Sequence, residues 1–501
     1  MRDLSPRGRL LVLAVCCMSL LIVSLDTTVL NVALPAMRRD LGASVSGMQW
    51  TIDAYTLVLA SLLMLAGSTA DRIGRRRVFT VGLVLFTAGS VLCSLAPSLG
   101  WLIVFRMLQA VGGSMLNPVA MSIITNTFTD PRERARAIGV WGAVVGISMA
   151  AGPLIGGLLV DTVGWRSIFW VNLPVGLLAL ALTLRYVPES RAEHPRRPDP
   201  VGQLLVMGLL GSVTYGIIEA PAAGWRSPLI LGCAALAVGS LAGLLIYEPR
   251  RAEPLIDPRF FRSAPFSGAT VIAISAFAAL SGFLFLNTLY LQDVRGLDAL
   301  HAGLYMLPMA ALAFLCAPVS GRLVGSRGPR LPLVVAGVTM AASGLLFAAF
   351  SAESSTPLLF FGYVLFGLGF GMVNAPITNT AVSGMPRAQA GVAAAVASTS
   401  RQTGGTLGVA VVGAVLAAGL AGSGAGSGAG AGSASVSGPG SAGDFLAAAQ
   451  PAWWIITVCG LLVLVVGLLT SGRWARGTAL RTALALEPGA DPARTGAPPR
   501  V

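Results

Sequence analysis

The sequence predicts an all-α polytopic membrane protein: two six-helix bundles with an inserted helix pair, fourteen transmembrane helices in all. Three observations point to it. Hydrophobic residues make up 55% of the 501 residues and charged residues only 11%, where soluble domains carry about 25% charged residues. Fourteen stretches are apolar over roughly the 20 residues a helix needs to cross a bilayer core. The chain also repeats itself. Gly67, Gly74 and Arg76 recur as Gly321, Gly328 and Arg330, Gly112, Met115 and Asn117 recur as Gly369, Met372 and Asn374, and RARA (134–137) recurs as RAQA (387–390), at offsets of 253 to 257. Two related bundles that rock about a shared site are a common plan for a transporter.

The predicted spans are 10–36, 48–69, 78–96, 99–124, 138–160, 167–187, 201–220, 228–247, 265–291, 302–324, 331–350, 357–380, 391–418 and 451–471. Their runs are continuously apolar. Barrel strands would alternate, and lipid leaves no water to satisfy a loose backbone, so helix is the expected form. The first span holds Asp26 and Asn31 and lacks a small-residue cleavage pattern, so it reads as a retained span rather than a leader. Directly joined six-span halves would repeat at roughly 190 to 200 residues for helices of bilayer length. The longer offset makes room for spans 7 and 8. The expected division is therefore a bundle over 1–187, the inserted pair with its linkers over 188–264, a second bundle over 265–471, and a partly disordered tail over 472–501. The Gly-, Ala- and Ser-rich stretch 419–449 reads as flexible coil.

Net charge is +13 and every basic residue is Arg. Of the 34 Arg, 27 fall at the termini and around the even-to-odd connections, and five on the opposite side. That bias places both termini in the cytoplasm and accounts for the basic surplus as topology and lipid contact, with no nucleic-acid partner. The six Cys all lie in apolar spans and read as small core hydrophobes. His194 and His301 lie at opposite faces, so no metal site is expected. The chain has no Lys and no phosphate-binding Gly-x-x-x-x-Gly-Lys motif. Neither ATP use, a cofactor nor an enzyme is indicated. Transport would then draw on an ion gradient, which supplies about 2.3 kcal/mol per charge per 100 mV.

Candidate residues follow from charge in apolar surroundings. Asp26 lies within the first span, where a carboxylate costs about 2.5–3.5 kcal/mol. A carboxyl there can take a proton from one side and release it on the other; the alternative is a hydrogen bond to Thr27 or Asn31. Asp53, with Tyr55 beside it, reads either as a second proton site or as a solvated residue near the outer end of span 2. Arg106 stays protonated even when buried and needs a carboxylate or carbonyls, and Gln109 lies one turn along. Arg401, near Ser398 and Gln402 in span 13, either faces the cavity or sits in mid-membrane. Asn31, Tyr55, Gln109, Asn117 and Arg401 are expected to line a substrate cavity. Glu219 is expected to be structural, and Asp161, Asp293 and Glu353 to be solvated. Asp71 among Arg72, Arg75, Arg76 and Arg77, flanked by Gly67 and Gly74, reads as a cytoplasmic gate that pairs across the halves and with a helix end. Its second-half copy has Gly325 in place of the acid. Gly152, Pro153, Gly156 and Gly157 in GPLIGG permit close helix packing and a bend.

These motifs carry a resemblance over about residues 10–471. GSTADRIGRRRVF resembles the loop 2–3 signature of the major facilitator superfamily. LDTTVLNVALP (25–35) is similar to the first-span motif of its fourteen-span drug/proton antiporter family. RMLQAVGGS (106–114) resembles the fourth-span motif, and GPLIGG the fifth-span motif of antiporters. The resemblance implies a monomeric, proton-coupled exporter of an antibiotic or other amphipathic drug from the bacterial cytoplasm, conferring resistance. It also implies a proton or substrate role for Asp26, and that Arg106 helps control protonation of a carboxyl in the amino-terminal half, with Asp26 nearest by motif. A carrier for an endogenous metabolite with the same fold is the alternative.

Overall fold

The structure, a computed structural model, describes residues 5–192, 199–251, 253–350, 354–383, 385, 389–422 and 441–486. His194, Glu353, Arg387 and the core of the Gly-rich connection lie outside the described residues. The helices are α1 (Pro6–Leu41), α2 (Val45–Ile73), α3 (Arg75–Ser94), α4 (Leu99–Thr127), α5 (Pro131–Thr162), α6 (Ser167–Trp170), α7 (Asn172–Tyr186), α8 (Pro200–Ala223), α9 (Pro228–Tyr247), α10 (Ala264–Leu289), α11 (Ala299–Arg327), α12 (Arg330–Ala348), α13 (Thr356–Val382), α14 (Ala390–Gly422), α15 (Ser441–Thr470) and α16 (Arg473–Leu486). With α6 and α7 as one broken span, fourteen are long and apolar enough to cross a membrane.

Span 6 breaks at Val171 because Pro174 has no N–H to offer the Trp170 carbonyl one turn earlier. Within the tail expected to be partly disordered, Arg473–Leu486 form a last helix, α16. Its Ala475, Ala479, Thr482 and Leu486 are buried, and the helix packs on α10 and the short turn Pro258–Arg262. Likewise α15 begins at Ser441 rather than 451, taking the end of the expected coil into helix. At the start of α11, Asp298 accepts from the His301 N–H at 2.7 Å, and that bond holds its carboxyl below the ordinary aspartate range.

The internal repeat is visible in the packing. In the first half α1 packs on α5, α2 on α4, α3 on α4 and α7; in the second, α10 packs on α14, α11 on α13, α12 on α13 and α15. The halves meet along two symmetry-related seams, α5 against α11 and α14 against α2. The inserted pair breaks this symmetry: α8 packs on both α2 and α14.

We call the face where α1 begins the terminal face and the opposite one the distal face. Contacts between the halves gather toward the distal face. Gln292 donates to the Val32 carbonyl at 2.8 Å, and Gln49 to those of Val409 and Ala410 at 3.1 and 2.8 Å. Two solvated charges of the sequence reading belong to this seal. Asp161 accepts from the N–H groups of Ala299 and Leu300 at 3.3 and 2.8 Å, capping α11 from the other half where a helix start attracts negative charge. Asp293 is largely buried and pairs with Arg38 at 3.4 Å. Both were misread because the cross-half partner is far away in sequence.

Candidate functional site: a buried charge pair and a two-sided seam

Asp26 comes from α1, and the residues around it come from α2, α3, α4 and α7. Arg106 lies about 10 Å along α4 from Leu99. Its Nη1 donates to Asp26 Oδ2 at 2.5 Å and to Gln109 Oε1 at 2.8 Å. The other carboxylate oxygen, Oδ1, accepts from Gln109 Nε2 at 2.8 Å and Asn172 Nδ2 at 2.9 Å. Asn172 also donates to Ser90 Oγ at 3.0 Å, and Ser90 in turn donates to the Phe169 carbonyl at 2.8 Å. Arg106 Nε reaches the Thr51 carbonyl at 3.3 Å, and the guanidinium lies 4.3 Å from the Tyr55 ring centroid. Arg106 is 1% exposed and Gln109 fully buried. The bonds expected from Asp26 to Thr27 or Asn31 do not form: Thr27 donates to the Ser24 carbonyl and Asn31 to that of Thr27.

Both carboxylate oxygens are occupied by charged or amide donors, the strong kind of hydrogen bond in a water-poor interior. Oδ1 accepts two donors and Oδ2 one, so of about four lone-pair sites on a carboxylate one is left on Oδ2, where a proton would compete with Arg106 for the same oxygen. The sequence reading missed Asn172, Ser90 and Thr51. The signal for Asn172 was an amide in an apolar span beside a helix-breaking proline.

The other expected cavity residues disperse. Tyr55 is buried beneath Arg106, and its hydroxyl has no hydrogen-bond partner. Asn31 lines a small pocket between α1, α5, α10 and α11 with Thr28, Met149, Pro153, Leu284 and Met306. Asn117 on α4 keeps a buried, unpartnered Oδ1. Asp53 is fully buried, so the solvated reading does not hold. Its Oδ1 lies 3.5 Å from the Thr56 hydroxyl, its Oδ2 has no hydrogen-bond partner, and Thr56 accepts from Thr406 of the other half at 2.9 Å. Glu219 accepts from Trp50 Nε1 at 2.7 Å and ties α8 to α2.

The GPLIGG stretch serves two neighbours at once. A Cβ on Gly152 or Gly156 would collide with Thr28 or Val29 of α1, and one on Gly157 with the backbone of Ala299 and Leu300 in the other half. Opposite, a Cβ on Gly303 of α11 would strike the Pro153 carbonyl. Backbones this close are what small residues allow between helices.

The loop after α2 is tied inside its own half. Arg75 donates to Asp71 through Nε at 3.0 Å and Nη2 at 2.7 Å. The Arg75 N–H reaches the Ser190 carbonyl at 2.9 Å, the Arg76 N–H reaches Glu189 at 3.1 Å, and Arg76 Nη2 reaches the Leu184 carbonyl at 2.5 Å. Gly74 has φ of 126°, and a Cβ there would meet Glu189. Gly67 faces Pro118 across the α2–α4 contact, and Arg72 is exposed. Among the described residues, no ion pair from Asp71 or Glu189 crosses to the second half. The expected pairing across a gate is absent in this conformation, and Glu189 is the anchor that the sequence reading missed.

Fourteen spans, two repeated bundles and a sealed intramembrane charge pair define a multi-pass transporter. The profile of the Major Facilitator Superfamily matches residues 16–409, and the chain belongs to that superfamily. It is 39% identical over 401 residues to the multidrug resistance protein Stp of Mycobacterium tuberculosis, spanning 80% of this chain and 74% of that one. It is 39% identical over 403 residues to the tetracenomycin C resistance and export protein of Streptomyces glaucescens, spanning 80% and 74%. It is 38% identical over 395 residues to the puromycin resistance protein pur8 of Streptomyces alboniger, spanning 77% and 78%. The fold matches that of a bacterial homologue of the human lysosomal transporter Spinster in an inward-facing, unoccupied conformation, at a TM-score of 0.64 and 19% identity, over 95% of this chain and 99% of that one.

Proposed function

We propose that this chain exports an amphipathic drug or antibiotic across the bacterial cytoplasmic membrane in exchange for protons, as a monomer with both termini in the cytoplasm. The observation that carries the reading is the Asp26–Arg106 pair, an ionisable couple held in a neutral hydrogen-bonded network inside a transporter half. Protonation of Asp26 frees Arg106 from its carboxylate, and the Arg106 contacts to α2 then shift with it. Asp53, whose neighbour Thr56 bonds across the α2–α14 seam, is the second proton carrier in this scheme.

Alternating access supplies the path. Hydrogen bonds between the halves gather toward the distal face, and the Arg bias supports reading that face as extracellular. Export needs the distal seam to part and the terminal side to close. Loop residues Asp71, Arg72, Arg75 and Arg76 are placed to act there. The names of the relatives support drug cargo. One charge moved through 100 mV supplies about 2.3 kcal/mol, enough for roughly fifty-fold accumulation.

Everted membrane vesicles from cells expressing the protein test the reading. An imposed proton gradient drives uptake of an amphipathic antibiotic in the wild type and none in Asp26→Asn at equal expression. Gradient-driven movement of a metabolite with no movement of any antibiotic would replace export of drugs by carriage of an endogenous compound.

A further inference from the structure

The two arginines deep in the helices differ in their partners. Arg106 has a carboxylate. Arg401, about 16 Å along α14 from its terminal-face end, donates through Nη1 to Thr378 Oγ1 of α13 and through Nη2 to Ser398 Oγ, both at 3.2 Å. Among the described residues it makes no ion pair with an acid. Two neutral hydroxyls occupy two of the five N–H donors that a guanidinium carries, and Arg401 itself is partly exposed beside an exposed Thr378.

The stretch of α5 that the repeat pairs with Arg401, residues 144–148, is Val-Val-Gly-Ile-Ser and carries no charge. An unpaired cation at this depth is costly, and such residues in spans mark substrate paths. The other deep charges leave the field to it. Asp26 and Arg106 neutralise each other out of solvent, and Asp53 is fully buried. A lone positive charge in low-dielectric surroundings favours an anion and disfavours a cation.

We propose that Arg401 is a cargo-contacting anchor and that the cargo is an amphipathic organic acid, held by its carboxylate or phenolate on the free guanidinium donors. The inference rests on the export reading and adds the charge of the cargo to it. A guanidinium presents paired donors that match a carboxylate, and Thr378 and Ser398 hold the fork from behind.

The test is equilibrium binding to the purified full chain in detergent, followed by fluorescence of dansylglycine, its neutral amide dansylglycinamide and the cationic dansylcadaverine. The acid should bind roughly tenfold or more tighter than the amide, as expected of one charge-assisted hydrogen-bonded contact. Arg401→Gln should bring acid and amide within about twofold, and Arg401→Lys should keep most of the preference. A wild-type thermal unfolding midpoint shows that the Gln variant is folded. Equal binding of acid and amide by the wild type, tighter binding of the cation, a preference that survives Arg401→Gln, or no binding of any of the three overturns the proposal. An intact acid preference in a protein that moves no drug in vesicles sinks the export reading and leaves the anion site standing.

Discussion

The guanidinium of Arg106 meets the carboxylate of Asp26 at 2.5 Å, inside a shell that leaves the two side chains 1% and 2% exposed. Removing one partner of such a pair leaves the other charged and alone, at about 3–5 kcal/mol. Arg106→Gln should therefore lower the unfolding midpoint strongly. Arg106→Gln with Asp26→Asn should recover much of that loss while remaining inactive in gradient-driven uptake. Thermal unfolding of the four proteins closes the cycle. Additive losses would mean that the two residues do not depend on each other.

Asn172 holds the second carboxylate oxygen from α7. Asn172→Ala should leave the fold intact, since the Arg106 and Gln109 bonds remain, and should destabilise by about 1–3 kcal/mol for an amide bond to a charged acceptor. Its signature is a shifted pH profile of vesicle uptake. A variant with the wild-type profile would remove Asn172 from the proton site.

Gly157 and Gly303 mark the α5–α11 seam, each against backbone of the opposite half. Gly157→Ala or Gly303→Ala should part the seam toward the distal face. In a background with the six native cysteines replaced, a cysteine at buried Val32 should then react faster with a membrane-impermeant maleimide added from outside. Unchanged labelling would show that the seam tolerates the extra carbon without opening.

Trp50 and Glu219 join α2 to the inserted pair at 2.7 Å. Glu219→Gln keeps the shape and removes the charge. It should weaken the fold by about 1–2 kcal/mol, as for a hydrogen bond to a charged group, and leave uptake within about twofold of wild type, the scatter expected of a residue away from the transport path. A large loss of uptake at normal stability would give Glu219 a role in transport.

The sequence made the spans legible because each one is a local pattern: roughly 20 apolar residues report a bilayer crossing without reference to the rest of the chain. Asp26, Arg106 and Gln109 were legible for the related reason that charge in hydrocarbon has few explanations. Partnership was harder to read. Asn172 lies 146 residues from Asp26, and only the break before α7 aims its side chain there. Asp161 and Asp293 read as solvated because they end spans, yet each faces a group from the other half. In the loop after α2, the arginines were visible, but Glu189, which holds their backbone, belonged on paper to a linker. Helix α16 was obscured by the Arg, Ala and Pro of the tail; its buried stripe of Ala475, Ala479 and Leu486 is short and weakly apolar.

The inserted pair gives the two flanks of the molecule different fates. Along α2 and α14, α8 stands against both helices, its Gln203 bonded to the Ser61 carbonyl. Along α5 and α11 neither helix of the inserted pair makes such a contact among the described residues, and Val140, Ile147, Leu315 and Val319 are exposed. The two seams that the repeat makes equivalent thus meet their surroundings differently, one behind a third helix and the other bare.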